Sequence, residues 1–489
     1  MLQNLKDITG SAAHIRIGGT TANHATWVED QEAAIVQNFA TPGADQPANV
    51  TLGPRYLESF KTFVQGTQYT VGLTFDSGKI GEDKTVKEAT AFYQGLGDDL
   101  FAFEVGNEFD EFPVDRNETS YKIEQYVPEW LNRTAAIASR VFRPSQPKKM
   151  FQAAAFVAPG ARSNDTSWNA QAAIDLGITS TSRAKTFCTH QYFGAACSPV
   201  KPTLAGSIMN RTLLARLMAY HKSAAAISVA NGMQYVLGET NSIACQGLAN
   251  VSDVFGAALW SIDYALYAAS VNVSGIYWHM GTGYRYAAWQ AIRNGTTAPG
   301  PRPLYYGNLF TATALGGAGK QVVSIVNTTT LAGYAVYRGT GGKVELESVV
   351  LVNMQIYNAT AGERSSVSFS LPPDIVSKGS HTTLTVRRLT AATTESKDGL
   401  SFAGRTVALD GQVVGEEVTE KVEVGKVDVK ASEAVLISLS RSGPSSTNGT
   451  IPTPTGTGSV VISTGAAPPR KVVGGILGLG FTLSVLDVM

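Results

Sequence analysis

Two glutamates, each closing an apolar run, carry the chemistry this sequence offers. Glu108 ends Phe101-Ala102-Phe103-Glu104-Val105-Gly106-Asn107-Glu108-Phe109-Asp110, a stretch of β-formers that turns abruptly polar. Glu239 does the same in Gln234-Tyr235-Val236-Leu237-Gly238-Glu239-Thr240-Asn241-Ser242. Two carboxyl groups facing one pocket can divide a task, one protonating a departing oxygen while the other, ionised, attacks the carbon it leaves. Cleavage of a sugar–oxygen bond with retention needs such a pair about 5–5.5 Å apart. Glu108 suits the acid, because Asn107 directly before it can hydrogen-bond the sugar's 2-hydroxyl. Glu239 suits the nucleophile, and mutual repulsion keeps one carboxyl protonated while the other is charged. Each glutamate alone has a plainer reading. Asn107-Glu108 can be a strand end followed by a helix cap, with Asp110 and Glu111 favouring the dipole, and Gly-Glu-Thr is a common tripeptide. Their pairing on alternate elements of one sheet favours catalysis.

Positioning them requires strands that deliver side chains to a common rim. Seven short apolar segments (15–19, 69–75, 101–108, 150–156, 186–192, 235–240 and 275–280) alternate with helical stretches such as 213–230 and 254–269. Strand and helix alternating at this spacing imply an α/β fold with a parallel sheet, and this many units imply a (β/α)8 barrel over residues 1–312. Barrels put their chemistry at the strand C-terminal rim. Only seven strands can be counted. The residues before Ile15 look like the end of a helix, so the expectation is that a first strand is missing and that the glutamates end strands four and seven. From about Val322 the texture becomes Val/Thr/Ser-rich runs without intervening helices, which predicts an antiparallel β-sandwich over 313–441.

Lys plus Arg and Asp plus Glu both number 39, so no basic face is implied and nucleic acid is not an expected partner. The three cysteines (Cys188, Cys197 and Cys245) have no zinc-site spacing, and neither a metal nor a cofactor is expected. Eleven of the twenty asparagines lie in Asn-X-Ser/Thr: Asn49, Asn117, Asn132, Asn164, Asn210, Asn250, Asn272, Asn294, Asn327, Asn358 and Asn448. That density reads as a glycosylated secretory protein, although Asn272, beside an apolar strand, is expected to be too buried for a glycan. The first residues, Met1-Leu2-Gln3-Asn4-Leu5-Lys6-Asp7, have no charged-then-apolar leader. Residues 442–471 are Ser, Thr, Pro and Gly with little apolar content and read as a glycosylated stalk. Residues 472–489 are apolar but short for a spanning helix. With Ser463, Gly465 and Ala466 ahead of them they fit a lipid-anchor signal, which places the protein at the cell surface or outside the cell; Asp487 weakens that fit.

With these residues in place a resemblance can be stated. Arg16-Ile17-Gly18-Gly19-Thr20, Phe103-Glu104-Val105-Gly106-Asn107-Glu108 and Leu237-Gly238-Glu239-Thr240-Asn241-Ser242 resemble glycoside hydrolase family 79, its fungal members most of all. That family contains β-glucuronidases and heparanases and joins a barrel to a C-terminal β-sandwich, matching residues 1 to about 441. The resemblance implies release of β-linked glucuronic acid, plain or 4-O-methylated, with Glu108 as acid/base and Glu239 as nucleophile. It also implies that Thr20, Tyr192 and Tyr284 contact sugar or uronate, with Tyr192 hydrogen-bonded to Glu239 and Tyr284 reaching the sugar carboxylate. Either tyrosine can equally be a half-buried rim aromatic. Where the family carries a Tyr and a glycine run, this chain has Ile243-Ala244-Cys245-Gln246-Gly247, so the backbone amides of Cys245 and Gln246 are the candidates for the uronate. Cys197 and Cys245 fall on the loops after strands six and seven and are expected to pair, leaving Cys188 as a reduced core thiol.

His190 and His279 end strands without a third ligand at sensible spacing and read as core or rim histidines. His24, Trp27, Trp278 and Trp289 could line a sugar pocket, with packing the simpler role. Alternatives stay open: an endo-acting heparanase-like enzyme, a neutral-sugar retaining glycosidase, or an inactive surface-anchored carbohydrate-binding protein. The barrel-rim loops are poor in Lys and Arg, which favours exo action.

Overall fold

The computed structural model describes residues 1–42, 47–111, 121–158, 166–317, 319–340, 343–358, 360, 362–371, 382–422, 426–441 and 478–484. The expected stalk, and the sequons at Asn117, Asn164 and Asn448, lie outside the described residues.

All seven apolar segments form strands, and their hydrogen bonding is parallel throughout. They are β1 (His14–Gly18), β2 (Tyr69–Leu73), β3 (Leu100–Val105), β4 (Phe151–Val157), β5 (Ala184–Tyr192), β6 (Gln234–Asn241) and β7 (Gly275–Met280), each paired with the next in chain order. Helices return the chain between them, including α1 (Gly78–Leu96), α2 (Ile123–Arg140), α3 (Arg211–Ala230) and α4 (Phe255–Ser270).

The strand count needs correcting. The sheet closes through an eighth strand, Gly478–Ser484, which runs parallel between β1 and β7 in the register His14↔Gly480 to Gly18↔Ser484 and Gly275↔Gly478 to Met280↔Leu483. Seven residues of the apolar tail, expected outside the fold, thus occupy the slot expected to be empty. An open barrel would leave the backbone donors and acceptors of β1 and β7 unpaired. Gly-Leu-Gly-Phe-Thr-Leu-Ser has the apolar, short composition of a strand buried in a parallel sheet, which also resembles a membrane-directed tail. Among the described residues no helix is long and apolar enough to cross a membrane.

The second domain is the expected sandwich. β8 (Lys320–Asn327), β9 (Leu331–Thr340), β10 (Lys343–Asn353), β11 (Ser366–Ser370), β12 (Thr382–Thr390), β13 (Lys426–Lys430) and β14 (Glu433–Arg441) make two antiparallel sheets. The larger runs β8-β9-β10-β14-β12, and β11 pairs with β13 in the smaller. Val349, Leu351, Val435 and Ile437 from one face meet Phe369, Val427 and Val429 from the other in a separate apolar core. α4 is buried on nearly every side because the sandwich covers the face the barrel does not. At that seam Arg211 Nε donates to Asp263 Oδ2 at 2.8 Å, and the Tyr334 hydroxyl of β9 donates to the same carboxylate. A buried pair with its remaining lone pairs satisfied is costly to break on one side, and Arg211 Nη1 also reaches across to Leu331 O at 3.0 Å.

Candidate active site

Period-two alternation points Arg16, Glu104, Gln152, Cys188 and His190 into the barrel. Arg16 is fully buried and has more acceptors than any other side chain there. Its Nε donates to both oxygens of Glu104 at 3.0 Å, Nη1 to Glu239 Oε2 at 3.0 Å, and Nη2 to Asn107 Oδ1 at 2.8 Å. Gln152 Nε2 also donates to Glu104, and Thr186 holds the other end of that amide at 3.0 Å. Charges this deep survive only when paired and hydrogen-bonded. The motifs that contain Arg16 and Glu104 assign neither of them a role by spacing alone. The signal was present, since each is a lone charge at an inward position of an otherwise apolar strand.

Glu108 sits just past the end of β3 with φ 50°, a conformation that costs a non-glycine residue roughly 1–3 kcal/mol and clusters at functional sites. Its N–H is held by Ala155 O at 2.9 Å. Ala155 itself lies in a bulge of β4, where Ala154 and Ala155 take φ 78° and 61° and the pairing to β5 slips. Gly106, at φ 81°, is required because a Cβ there would lie 2.4 Å from the Phe109 ring. The turn carries Oε1 of Glu108 to 3.0 Å from His190 Nδ1.

Glu239, two residues before the end of β6, meets Arg16 on one oxygen and Tyr192 on the other, the phenol donating to Oε1 at 2.8 Å. The Tyr192 oxygen also lies 2.8 Å from His279 Nδ1, which is 3.0 Å from the Tyr286 hydroxyl and 3.4 Å from Glu239 Oε1. Burial alone would raise the Glu239 pKa. His279, His190, Arg16 and the Tyr192 hydrogen bond outweigh it and hold the carboxyl well below the usual range. Burial and the Glu239 charge push the Tyr192 phenol far up, so it stays a donor. Burial would lower His190, but Glu239, the Cys188 thiol and Glu108 raise it well above its ordinary value, against Arg16.

One oxygen of Glu108, one of Glu239 and a ring nitrogen of His190 lie within 4.8 Å of one another. The two carboxylates therefore share the strand C-terminal end of the barrel, close enough for both to face one bond. His190 is buried and His279 stands at the rim, the core and rim positions expected, and each also contacts one of the glutamates. Strand neighbours across a barrel decide such contacts, and spacing along the chain does not show them. Glu104, Cys188 and His190 form a second group of close ligand atoms. Arg16, already bonded to Glu104 and Glu239, supplies the positive charge at both groups.

The other expected residues lie on the strand ends and on the turns and loops that follow them. Asn107 is buried, its N–H held by Asn23 Oδ1 at 2.9 Å. Thr20, half-buried, starts the short turn after β1. Tyr284 is half-buried, its ring edge-on to His279 at 5.6 Å. Cys245 and Gln246 take φ 60° and 65°, and Gln246 O accepts from Arg285 N at 2.7 Å. Cys197 and Cys245 are joined in a disulfide with Cα atoms 5.9 Å apart, and Cys188 is a buried free thiol, both as expected. Trp27 packs on Phe92 and Trp278 on Trp260; Trp289 is half-buried against Tyr305 and His24 half-buried at a turn end.

The model for the glycosyl hydrolase family 79 C-terminal beta domain matches residues 333–436, within the sandwich. The chain is 30% identical over 448 residues to a β-glucuronidase of Neurospora crassa, covering 83% of this chain and 79% of that one. It is 28% identical over 474 residues to a β-glucuronidase of Aspergillus niger, covering 90% and 85%. Among solved structures it is similar to a 4-O-α-L-rhamnosyl-β-D-glucuronidase from Fusarium oxysporum in complex with Rha-GlcA, with TM-score 0.77, 26% identity and 90% of each chain covered.

Proposed function

The chain belongs to glycoside hydrolase family 79, and on that footing we propose that it releases β-linked glucuronic acid, plain or 4-O-methylated, from glycan chains by double displacement. Glu239 is the nucleophile and Glu108 the acid/base. A Glu239 oxygen bonds to the anomeric carbon while the glycosidic C–O bond breaks and Glu108 gives its proton to the leaving oxygen. Water then attacks the glycosyl-enzyme, loses its proton to Glu108 and frees Glu239. The observation that carries this reading is the 4.8 Å limit on the Glu108, His190 and Glu239 atoms at one barrel mouth. Arg16 and Tyr192 keep the nucleophile ionised and aimed. Because Arg16 takes Oδ1 of Asn107, the amide's donating end is the one left for the 2-hydroxyl.

In the same reading the sugar carboxylate is received by Tyr284 and by the backbone amides of Cys245 and Gln246, with Thr20 on the facing side. The left-handed backbone from Cys245 through Gly247 (φ 60°, 65° and 84°) turns successive N–H groups together, as anion-binding loops do. The test is hydrolysis of an aryl β-glucuronide against xyloside and glucoside controls. Glu239→Gln should abolish turnover, and wild-type turnover in that variant would remove the nucleophile assignment. Glu108→Gln should lose about 10²–10⁴-fold on poor leaving groups and less on activated aryl glucuronides.

We also propose that the chain is a secreted glycoprotein. Of the eight described sequon asparagines, Asn49, Asn132, Asn250, Asn272, Asn294, Asn327 and Asn358 are exposed, and Asn210 is half-buried as the cap of α3. Asn272 is thus open to solvent, contrary to expectation, because it lies in the turn before β7. The buried asparagines Asn23, Asn107, Asn241, Asn308 and Asn353 are all outside sequons.

A further inference from the structure

Behind the nucleophile lies a buried histidine that the proposed reaction does not use. Side chains alternate along a strand, so Gln191, between His190 and Tyr192 on β5, is turned toward α3. There its Oε1 lies 3.0 Å from His221 Nε2, and its own Nε2 donates to Tyr192 O at 2.6 Å. A backbone carbonyl only accepts, so the amide's NH2 faces Tyr192 and its oxygen faces His221. His221 Nε2 therefore carries a proton. Burial pushes the ring's pKa down to about 3, so the ring is neutral and Nδ1 accepts from the Tyr235 hydroxyl at 2.7 Å. On the neighbouring strand the hydroxyl of Thr240, the residue after Glu239, donates to Gln191 O and lies 3.1 Å from the Tyr264 hydroxyl of α4. His221, Gln191 and Thr240 are all buried, and a polar chain this deep rigidifies what it holds when every link is satisfied.

We propose that His221 is a positioning residue for the nucleophile, fixing the end of β5 through Gln191 so that the Tyr192 hydroxyl stays on Glu239. This rests on Glu239 being the nucleophile. The relay runs from the His221 N–H to the Gln191 carbonyl, from the Gln191 amide to Tyr192 O, and from the Tyr192 phenol to Glu239 Oε1 at 2.8 Å. No proton needs to move along it, because its work is to hold one donor in place. The groups facing the His221 ring are the hydroxyls of Thr189 and Tyr235, the Gln191 amide and the Tyr220 ring, none of them charged. Those facing Glu239 are Arg16 of β1, His190 and Tyr192 of β5, His279 of β7 and, past the end of β3, Glu108.

The test is the acid limb of kcat/KM on an aryl β-glucuronide. His221→Ala takes the donor from Gln191 and loosens the Tyr192 hydroxyl, which is one of the groups holding the Glu239 pKa down. The limb should therefore move to higher pH by about half a unit. His221→Gln, which still presents an N–H to Gln191, should stay near wild type. In a Tyr192→Phe background His221→Ala should move the limb no further, because both changes act through one hydroxyl. A limb that coincides with wild type in His221→Ala, a loss uniform across pH, or a shift that persists in the Tyr192→Phe background overturns the inference. Where His221→Ala does not fold, Gln191→Leu cuts the same relay one link on and carries the same expected shift and the same contrary results. Glu239→Gln with full activity would instead overturn the functional reading beneath the proposal.

Discussion

Glu239 shows how far a single residue can be read before its neighbours are known. A polar side chain ending an apolar run marks the rim of a barrel, and that rule pointed to Glu108 and Glu239, whereas Tyr192 came from the family resemblance. It could not find Arg16, Glu104, His190 or His279, whose roles depend on which strands face one another across the interior. The Tyr192 phenol is one of the groups that depress the Glu239 pKa, after His279, His190 and Arg16. A depressed carboxyl pKa keeps the proposed nucleophile ionised down to low pH, and activity is expected to fall only as pH drops through that value. Tyr192→Phe removes one of the groups depressing it, so the acid limb of kcat/KM should rise by about one unit. A limb that does not move in the variant would show that the hydroxyl does not tune this carboxyl.

Elements were easier to read than contacts. Seven strands and the helices between them follow from apolar runs and helical periodicity, because a parallel sheet is buried on both faces. Placing Cys197 and Cys245 on loops after neighbouring strands was enough to pair them, since adjacent strands bring their following loops together. The bulge that supports Glu108 had no such signal, because Ala154 and Ala155 look like ordinary strand residues. The disulfide ties the loop after β5 to the loop bearing the proposed carboxylate amides. The double variant Cys197→Ser/Cys245→Ser should lose about 2–4 kcal/mol in urea unfolding. Its KM for an aryl β-glucuronide should rise while kcat changes little, as expected when a binding loop loosens and the carboxylate pair does not. Unchanged KM and stability would contradict that placement.

At the scale of the whole molecule the change of texture near Val322 marked the second domain, and the family match within residues 333–436 falls there. What composition could not settle was the tail, because a buried strand and a membrane-directed segment call for the same apolar residues. In the structure Gly478–Ser484 joins β1 to β7 and completes the ring that holds Arg16 opposite Glu239. Deleting residues 472–489 should therefore lower Tm and promote aggregation through the two exposed strand edges. A shortened chain melting like the full one would assign the tail no part in the barrel. The central claim, two carboxylates working across one bond from the same mouth, is tested most directly by the stereochemistry of the first product. Proton NMR during hydrolysis of an aryl β-glucuronide should show β-glucuronic acid appearing first and mutarotating later. Initial release of the α-anomer would mean inversion and would contradict the account.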